Sequence, residues 1–335
     1  MPGTHLVIDH APVAGSGEGP RPVMDSLLHL PGYSSETVTG DSGIFLGYTR
    51  YPGYPVELHS AGDRILLIEG TIYDRPLSAV VSELTELTGH LLDGSDETSA
   101  LSGWVRDADG EFVVTSIDTR SGRFVLFNDS LGRLPLYRCE TGDSLYISRE
   151  IGFIGKMAGW PGMDRLALAQ TLLFCFPLEG KTLYEGIRRV PPASILCGES
   201  AEGGPVRLRI DRAETRDLER GINGKGDIGE MSEELARLFR RSVSRRASGP
   251  CSNVLSLSGG IDSRAVLAGL RSTGSGFGAA TYLDHCATAS DDSRVAGILA
   301  SKLGLDWSLM RLSRPTGSDA LTLLRMKCGA NYLGM

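Results

Sequence analysis

The chain reads as an α/β protein of two domains, a layered α+β domain followed by a doubly wound parallel sheet. Three observations lead there. At 335 residues it exceeds one typical domain. Up to about residue 198 short strand patterns outnumber helical ones, with helices inserted between them. From residue 229 onward strand and helix patterns alternate, which is the signature of a parallel sheet. The expected boundaries are 1–198 for the first domain, 199–228 for a polar, glycine-rich linker, and 229–335 for the second.

Taken in order, the first stretch to Arg50 is rich in Gly and Pro and reads as loops with weak strands at Leu6 to Ile8 and Ile44 to Tyr48. Ile65-Leu66-Leu67-Ile68 is a buried strand, Glu69-Gly70 a turn, and Thr71-Ile72-Tyr73 a second short strand. Leu77 to Leu92 has apolar residues at helical spacing, and a further helix is expected over Asp96 to Val105. Glu111 to Asp118 and Arg123 to Asn128 flank a turn and make a hairpin. Short strands follow at Pro135 to Cys139, Ser144 to Ser148 and Ser194 to Cys197, with a helix over Leu166 to Phe174 headed by Asp164.

In the second part, Met231 to Ser244 is an amphipathic helix. Its apolar side carries Met231, Leu235, Leu238 and Phe239, and its other side carries Arg237, Arg240, Arg241, Arg245 and Arg246. That basic face is read as solvated rather than as a nucleic-acid surface, in keeping with a net charge of −7. Strands at Phe277 to Leu283 and Trp307 to Leu312 alternate with helices at Asp292 to Leu303 and Ser318 to Lys327.

The chemistry concentrates between the first strand and helix of this part. Val254-Leu255-Ser256-Leu257 stops at Ser258-Gly259-Gly260, and a helical pattern restarts at Ile261-Asp262-Ser263-Arg264. Two glycines let the backbone approach a bulky group, and a helix start leaves N–H groups unpaired at the positive end of its dipole. A phosphate suits that place. No Gly-Lys-Ser/Thr closes the turn as in a Walker A loop, and the third spaced glycine of the dinucleotide fingerprint is absent. A plain strand-to-helix turn with Asp262 or Ser263 at the helix start is the alternative.

Ser258-Gly259-Gly260-Ile261-Asp262-Ser263 resembles the PP-loop of ATP pyrophosphatases. The first half adds ordered landmarks: Glu69-Gly70-Thr71-Ile72-Tyr73-Asp74, Gly94-Ser95-Asp96-Glu97, Asp109-Gly110-Glu111-Phe112, Asn128 to Tyr137, Ile147-Ser148-Arg149-Glu150, and Gly180 to Pro192. Together they are similar to the asparagine synthetase family, in which a glutaminase domain precedes a PP-loop domain. The resemblance implies an N-terminal glutaminase-like (Ntn-type) sandwich and an adenine nucleotide alpha hydrolase-like sheet. It also implies ATP and Mg as cofactors and an amide bond formed through an acyl-adenylate, with aspartate to asparagine as the family default. On that basis Ser258, Gly259, Gly260 and Ser263 would hold the phosphates, Asp262 would be catalytic and would hold magnesium, and Leu257 would border the adenine. Tyr282 stands where the family has its adenine-contacting strand, although an aromatic in a strand reads as core. Arg264 would add charge near the phosphates or lie on the helix surface.

The first domain departs from the family. An N-terminal Cys nucleophile is expected there; this chain begins Met1-Pro2-Gly3, and its first cysteine is Cys139. Glu69 takes the place of the Asn that stabilises the oxyanion, where its charge would oppose the one developing. Asp96 matches the family's amino-group aspartate but reads as a helix-start residue. Loss of glutamine hydrolysis is therefore expected. The sequence also stops at Met335, before the family's second, pyrophosphate-binding loop, so the second domain is expected to be incomplete and finished by further sequence, a second chain or a homodimer partner. A small-molecule carboxylate and an amine or ammonia are the expected substrates. Competing readings are a β-lactam synthetase or lasso-peptide cyclase relative, a non-catalytic protein that binds nucleotide or a partner, and a tRNA-modifying PP-loop enzyme. The six cysteines show no metal spacing and no stretch is apolar enough to span a bilayer, which gives the expectation of a cytoplasmic protein without membrane partners.

Overall fold

The computed structural model describes residues 2–8, 19–40, 43–73, 75–142, 144–200, 206–213, 227–249, 252–288, 290–314 and 316–319. The chain divides into two compact units, one within residues 1–216 and the other within residues 217–320.

The first unit is built on two six-stranded antiparallel sheets. One holds β1 (Gly3–Ile8), β2 (Ser34–Thr39), β3 (Ile44–Arg50), β8 (Tyr137–Thr141), β9 (Ser144–Ser148) and β10 (Arg188–Arg189) in the order β10-β8-β9-β1-β3-β2. The other holds β4 (Val56–Ala61), β5 (Arg64–Ile72), β6 (Gly110–Asp118), β7 (Arg123–Asn128), β11 (Ser194–Glu199) and β12 (Arg207–Arg212) in the order β12-β11-β7-β6-β5-β4. The Ile65-Leu66-Leu67-Ile68 run shows why the layers stack. Leu67 joins Leu6, Ile44, Val113 and Leu126 in the core shared by the two sheets, while Leu66 and Ile68 face α2 (Leu77–Leu92) and α3 (Ser99–Asp107) through Val80, Leu84 and Trp104. Successive side chains of a strand point to opposite faces, so a strand buried on both sides is apolar throughout. On the outer face of the first sheet, Val7, Phe45 and Tyr146 pack with α1 (Pro20–Asp25) and α4 (Ile151–Ala158) through Met24, Phe153 and Ile154. The result is the sandwich of the glutaminase-like expectation, with helices on both outer faces.

Several elements differ from the sequence reading. Residues 3–8 and 44–49 are interior, on central strands, because β1 pairs with both β3 and β9 and β3 with both β1 and β2; Gly and Pro between them mask their apolar pattern. Glu69-Gly70 is no turn. Gly70, at φ +102°, sits inside the continuous strand β5, where a Cβ would lie 2.0 Å from the Glu111 carbonyl oxygen. The helix expected from Asp96 starts at Ser99, and Asp96 instead accepts a hydrogen bond from Arg209 Nη1 at 2.7 Å. The linker expected at 199–228 contains β12, which extends the second sheet by pairing with β11. α5 (Arg165–Phe174) forms as expected: Asp164 Oδ1 accepts the Ala167 N–H at 2.9 Å, and the helix ends at Cys175 in the left-handed region.

The second unit contains α6 (Ile228–Ala247), β13 (Asn253–Ser256), α7 (Ile261–Thr273), β14 (Phe277–Leu283), α8 (Ser290–Leu303) and β15 (Trp307–Arg311). Its strands are parallel, in the order β13-β14-β15. Leu255, Leu257 and Ala279 on one sheet face close a core with Leu267 and Leu270 of α7 and Ala296 of α8. The helix expected over 318–327 falls largely outside the described residues. No helix among the described residues is long and apolar enough to cross a membrane.

Candidate functional site

The turn between β13 and α7 lies at the carboxyl ends of the parallel strands, where open α/β sheets bind their ligands. Its base is fixed from below. Leu257 N–H donates to the Ala280 carbonyl at 2.9 Å, and Thr281 Oγ1 donates to the Leu257 carbonyl at 2.7 Å while accepting from Trp307 Nε1 at 2.8 Å. The Leu257 side chain is 1% exposed and belongs to the core. It therefore does not stand as a free wall for adenine, and only its backbone reaches the loop.

Ser258 and Ser263 tie the loop to itself. Their hydroxyls lie 3.0 Å apart, Ser263 Oγ accepts the Ser258 N–H at 3.1 Å, and Ser258 Oγ accepts the Gly260 N–H at 3.1 Å. Gly260 is the N-cap residue of α7 and no side chain caps that helix, which leaves first-turn N–H groups for a ligand. Gly259 is required by close approach: a Cβ there would stand 2.6 Å from Asp292 Oδ1 and 3.2 Å from Asp292 Cα. The start of α8 thus abuts the loop beside the start of α7. Asp262, in the first turn of α7, is exposed. Arg264 is exposed and turns back, its Nε donating to the Gly260 carbonyl at 3.2 Å.

Tyr282 lies near the same end of the sheet but on the face opposite the core, 53% exposed. Reading it as core is therefore corrected: that sheet face, with Val254 and Met310 also exposed, carries no covering helix among the described residues. The structure brings Ser258, Gly259, Gly260, Asp262 and Ser263 into one turn, adds Asp292, and leaves Leu257 beneath it. In the sequence Asp292 stood out as the start of a helix that ends at Leu303-Gly304 with the spacing of the resembled family, but nothing in its own neighbourhood pointed back to Gly259.

In the first unit the start of β1 is occupied by a buried charge cluster. Glu69, 0% exposed, accepts the Thr4 N–H at 2.9 Å, Thr4 Oγ1 at 2.8 Å, Arg149 Nε at 2.8 Å, and the Tyr54 hydroxyl. Burial, the largest single influence, would lower the Arg149 pKa, but the Glu69 and Tyr54 charges and their hydrogen bonds together outweigh it and hold the guanidinium above the usual arginine value. Burial, reinforced by the Glu69 charge, pushes the Tyr54 hydroxyl pKa up. Gly3 lies under this cluster, where a Cβ would meet Arg149 Cγ at 2.4 Å and Glu69 Oε1 at 2.7 Å. His5 next to it is wholly buried, which lowers its pKa to about 3, and its Nδ1 lies 2.9 Å from Ser148 Oγ. The Asp96 carboxylate is not part of this centre. Glu69 stands across from Val113 and so level with Asn128, whereas Asp96 lies beside Arg123 at the other end of β7. Sequence reasoning found Glu69 but not Arg149 as its partner, because only the fold brings positions 69 and 149 together.

Comparison with protein-family models places a glutamine amidotransferase domain at residues 60–205 and an asparagine synthase domain at residues 234–325. No curated protein sequence matches. Among solved structures, glutamine phosphoribosylpyrophosphate (PRPP) amidotransferase from B. subtilis, complexed with ADP and GMP, aligns over 94% of this chain and 69% of its own at 13% identity and a TM-score of 0.39. A structure described as the allosteric regulatory enzyme of purine biosynthesis aligns over 95% and 69% at 13% identity and a TM-score of 0.37. Such scores carry no argument, so the reading rests on the two domain matches and their order. A glutamine amidotransferase domain ahead of an asparagine synthase domain is the arrangement consistent with an asparagine synthetase-like family.

Proposed function

We propose that the chain is an ATP-dependent amide-forming ligase whose glutaminase domain no longer hydrolyses glutamine. The observation that carries the reading is the uncapped start of α7 behind the Ser258-Gly259-Gly260 turn. The residues present fit a magnesium–nucleotide complex. The turn carries Gly259 where a Cβ would collide, the uncapped first-turn N–H groups of α7 suit phosphate oxygens, and the exposed Asp262 offers hard oxygen donors. Magnesium, when bound, neutralises charge along the polyphosphate. The chain's own part is to cradle phosphates with backbone N–H groups, while the paired Ser258 and Ser263 hydroxyls keep the turn in shape. In the reaction, a substrate carboxylate oxygen attacks the α-phosphorus, the α–β bridging bond breaks and pyrophosphate leaves. An amine or ammonia nitrogen then attacks the acyl carbon, loses a proton and expels AMP.

The Glu69–Arg149 cluster supports an amine supplied from outside. Where the family places its nucleophile, at the start of β1, the space over Gly3 is filled by a buried ion pair. This favours a relative that joins a carboxylate to some amine other than glutamine-derived ammonia, the β-lactam synthetase and lasso-cyclase group among them. ATP–pyrophosphate exchange with a panel of carboxylates tests the proposal. Exchange with aspartate supports the family default, exchange with a peptide or an amino-acid-derived acid supports the relatives, and no exchange with any acid leaves a nucleotide- or partner-binding protein and sinks the ligase reading.

A further inference from the structure

Strands β7, β11 and β12 bring Arg123, Glu199 and Arg207 into one row, with Cys197 and Arg209 paired two rungs along. The segment Gly94-Ser95-Asp96 after α2 lies beside them, and together they line an open polar cavity of about 610 Å³, within the size range of small-molecule sites. Gly94 makes the approach of this segment feasible. At φ +101° it lets the loop descend onto Arg123, whose Nη1 would stand 2.8 Å from a Cβ at that position.

The hydrogen-bond inventory of this cavity is lopsided. Both carboxylates that line it are committed: Asp96 to Arg209 Nη1 at 2.7 Å, and Glu199 to Arg123 Nε at 3.5 Å. The donors are in surplus. Arg209 Nε lies 3.1 Å from Asp211 Oδ2 without the alignment of a hydrogen bond, and Nε and Nη2, both shut off from water, have no aligned oxygen or nitrogen acceptor among the described residues, only the weak acceptor sulfur of Cys197 beside the guanidinium. Arg207 stands exposed at the rim, on the same face of β12 as Arg209. Buried guanidinium donors without acceptors are costly, and the planar guanidinium fork matches carboxylate and phosphate oxygens. A cation would find its carboxylates already taken.

We propose that this cavity binds a small molecule carrying a carboxylate or phosphate group, held by Arg207 and Arg209. The site is separate from the Glu69–Arg149 centre. Arg123 and Asn128 lie five residues apart on β7, a separation of about 17 Å along the strand.

Cys197 lines the cavity and reports on it. The full chain is alkylated with iodoacetamide in inorganic phosphate, in citrate, and in sodium chloride of matched ionic strength, and each cysteine is followed by peptide mass spectrometry. Saturable protection of Cys197 is expected, with the exposed Cys175 and Cys286 unaffected as internal references. Protection by phosphate alone points to a phosphorylated ligand and protection by citrate alone to a polycarboxylate; both outcomes support the site. In Arg207→Gln, at an exposed edge position, the half-protecting concentration should rise about tenfold, the loss of one charge-assisted hydrogen bond, with an unchanged thermal melt. Arg209→Lys, which keeps the charge but loses the fork, should also weaken protection. Protection no greater than chloride gives, or protection unchanged in both variants, overturns the proposal.

Discussion

Glu69 is the hub of the buried cluster at the start of β1. Its carboxylate is fully interior and accepts from Thr4, Tyr54 and Arg149, so removing it leaves a buried guanidinium without a counter-charge. Glu69→Ala should cost about 3–5 kcal/mol of stability in urea unfolding without creating glutaminase activity. Ammonia released from glutamine by the wild-type protein would refute the reading of this centre as inactive. His5 adds a pH dependence. Its folded pKa, lowered to about 3 by burial, lies below the ordinary 6.5, so between those values the unfolded state binds more protons and stability falls as pH falls. The slope contributed is about 1.4 kcal/mol per pH unit at most. His5→Gln should lose this part of the acid sensitivity between pH 6.5 and 4, and parallel stability curves for the two proteins would refute the assignment. At the loop, Asp262 is exposed beside the turn, whereas Arg264 folds back onto Gly260. Asp262→Ala should therefore weaken Mg-ATP binding about tenfold or more, the scale of a lost charged contact, and Arg264→Ala far less. Equal losses measured by calorimetry would mean that the loop works in another way.

Among the elements, β5 departs most from its sequence pattern. Glu69-Gly70 looks like a turn between two short strands, yet the strand runs from Arg64 to Ile72 with Gly70 at φ +102° and pressed on the Glu111 carbonyl. A turn glycine and a strand glycine at a close backbone approach look alike in sequence, since both use the missing Cβ. Gly70→Ala should destabilise the first unit by about 3 kcal/mol or more, combining an unfavourable φ with a backbone collision. A urea midpoint within error of wild type would refute the contact. The strands β1 and β3 were legible only as short apolar pieces, because their central position depends on partners distant in sequence: β1 pairs with β9 about 140 residues on. By contrast α2, α5, α7 and the β6–β7 hairpin were legible locally, from helical spacing, a capping Asp164 and a turn at Ser121-Gly122.

At the scale of the whole molecule, the described residues close three cores within the first unit and one within the second. Unfolding should therefore proceed in two steps rather than one. Mg-ATP should raise only the transition of the second unit, by mass action on its folded state; a shift of both transitions together in calorimetry would contradict this. The apolar stripe of α6 marks a limit of periodicity. Met231 and Leu235 recur at helical spacing, yet they are 60% and 69% exposed. A stripe shows that a helix has an apolar side but not what lies against it.

The order of the two domains, the strand-to-helix turn at Ser258 to Ser263 and the departure of Glu69 from the resembled pattern could all be read from adjacent residues or a fixed succession of motifs. That Arg149 answers Glu69, that Asp292 stands over Gly259, that Tyr282 is exposed, and that Arg207 and Arg209 share a cavity with Asp96 emerged from the folded chain alone. These are contacts between chain segments far apart in sequence. Local propensity and spacing carry no term for such contacts, and they arise only when strand register and packing bring the segments together.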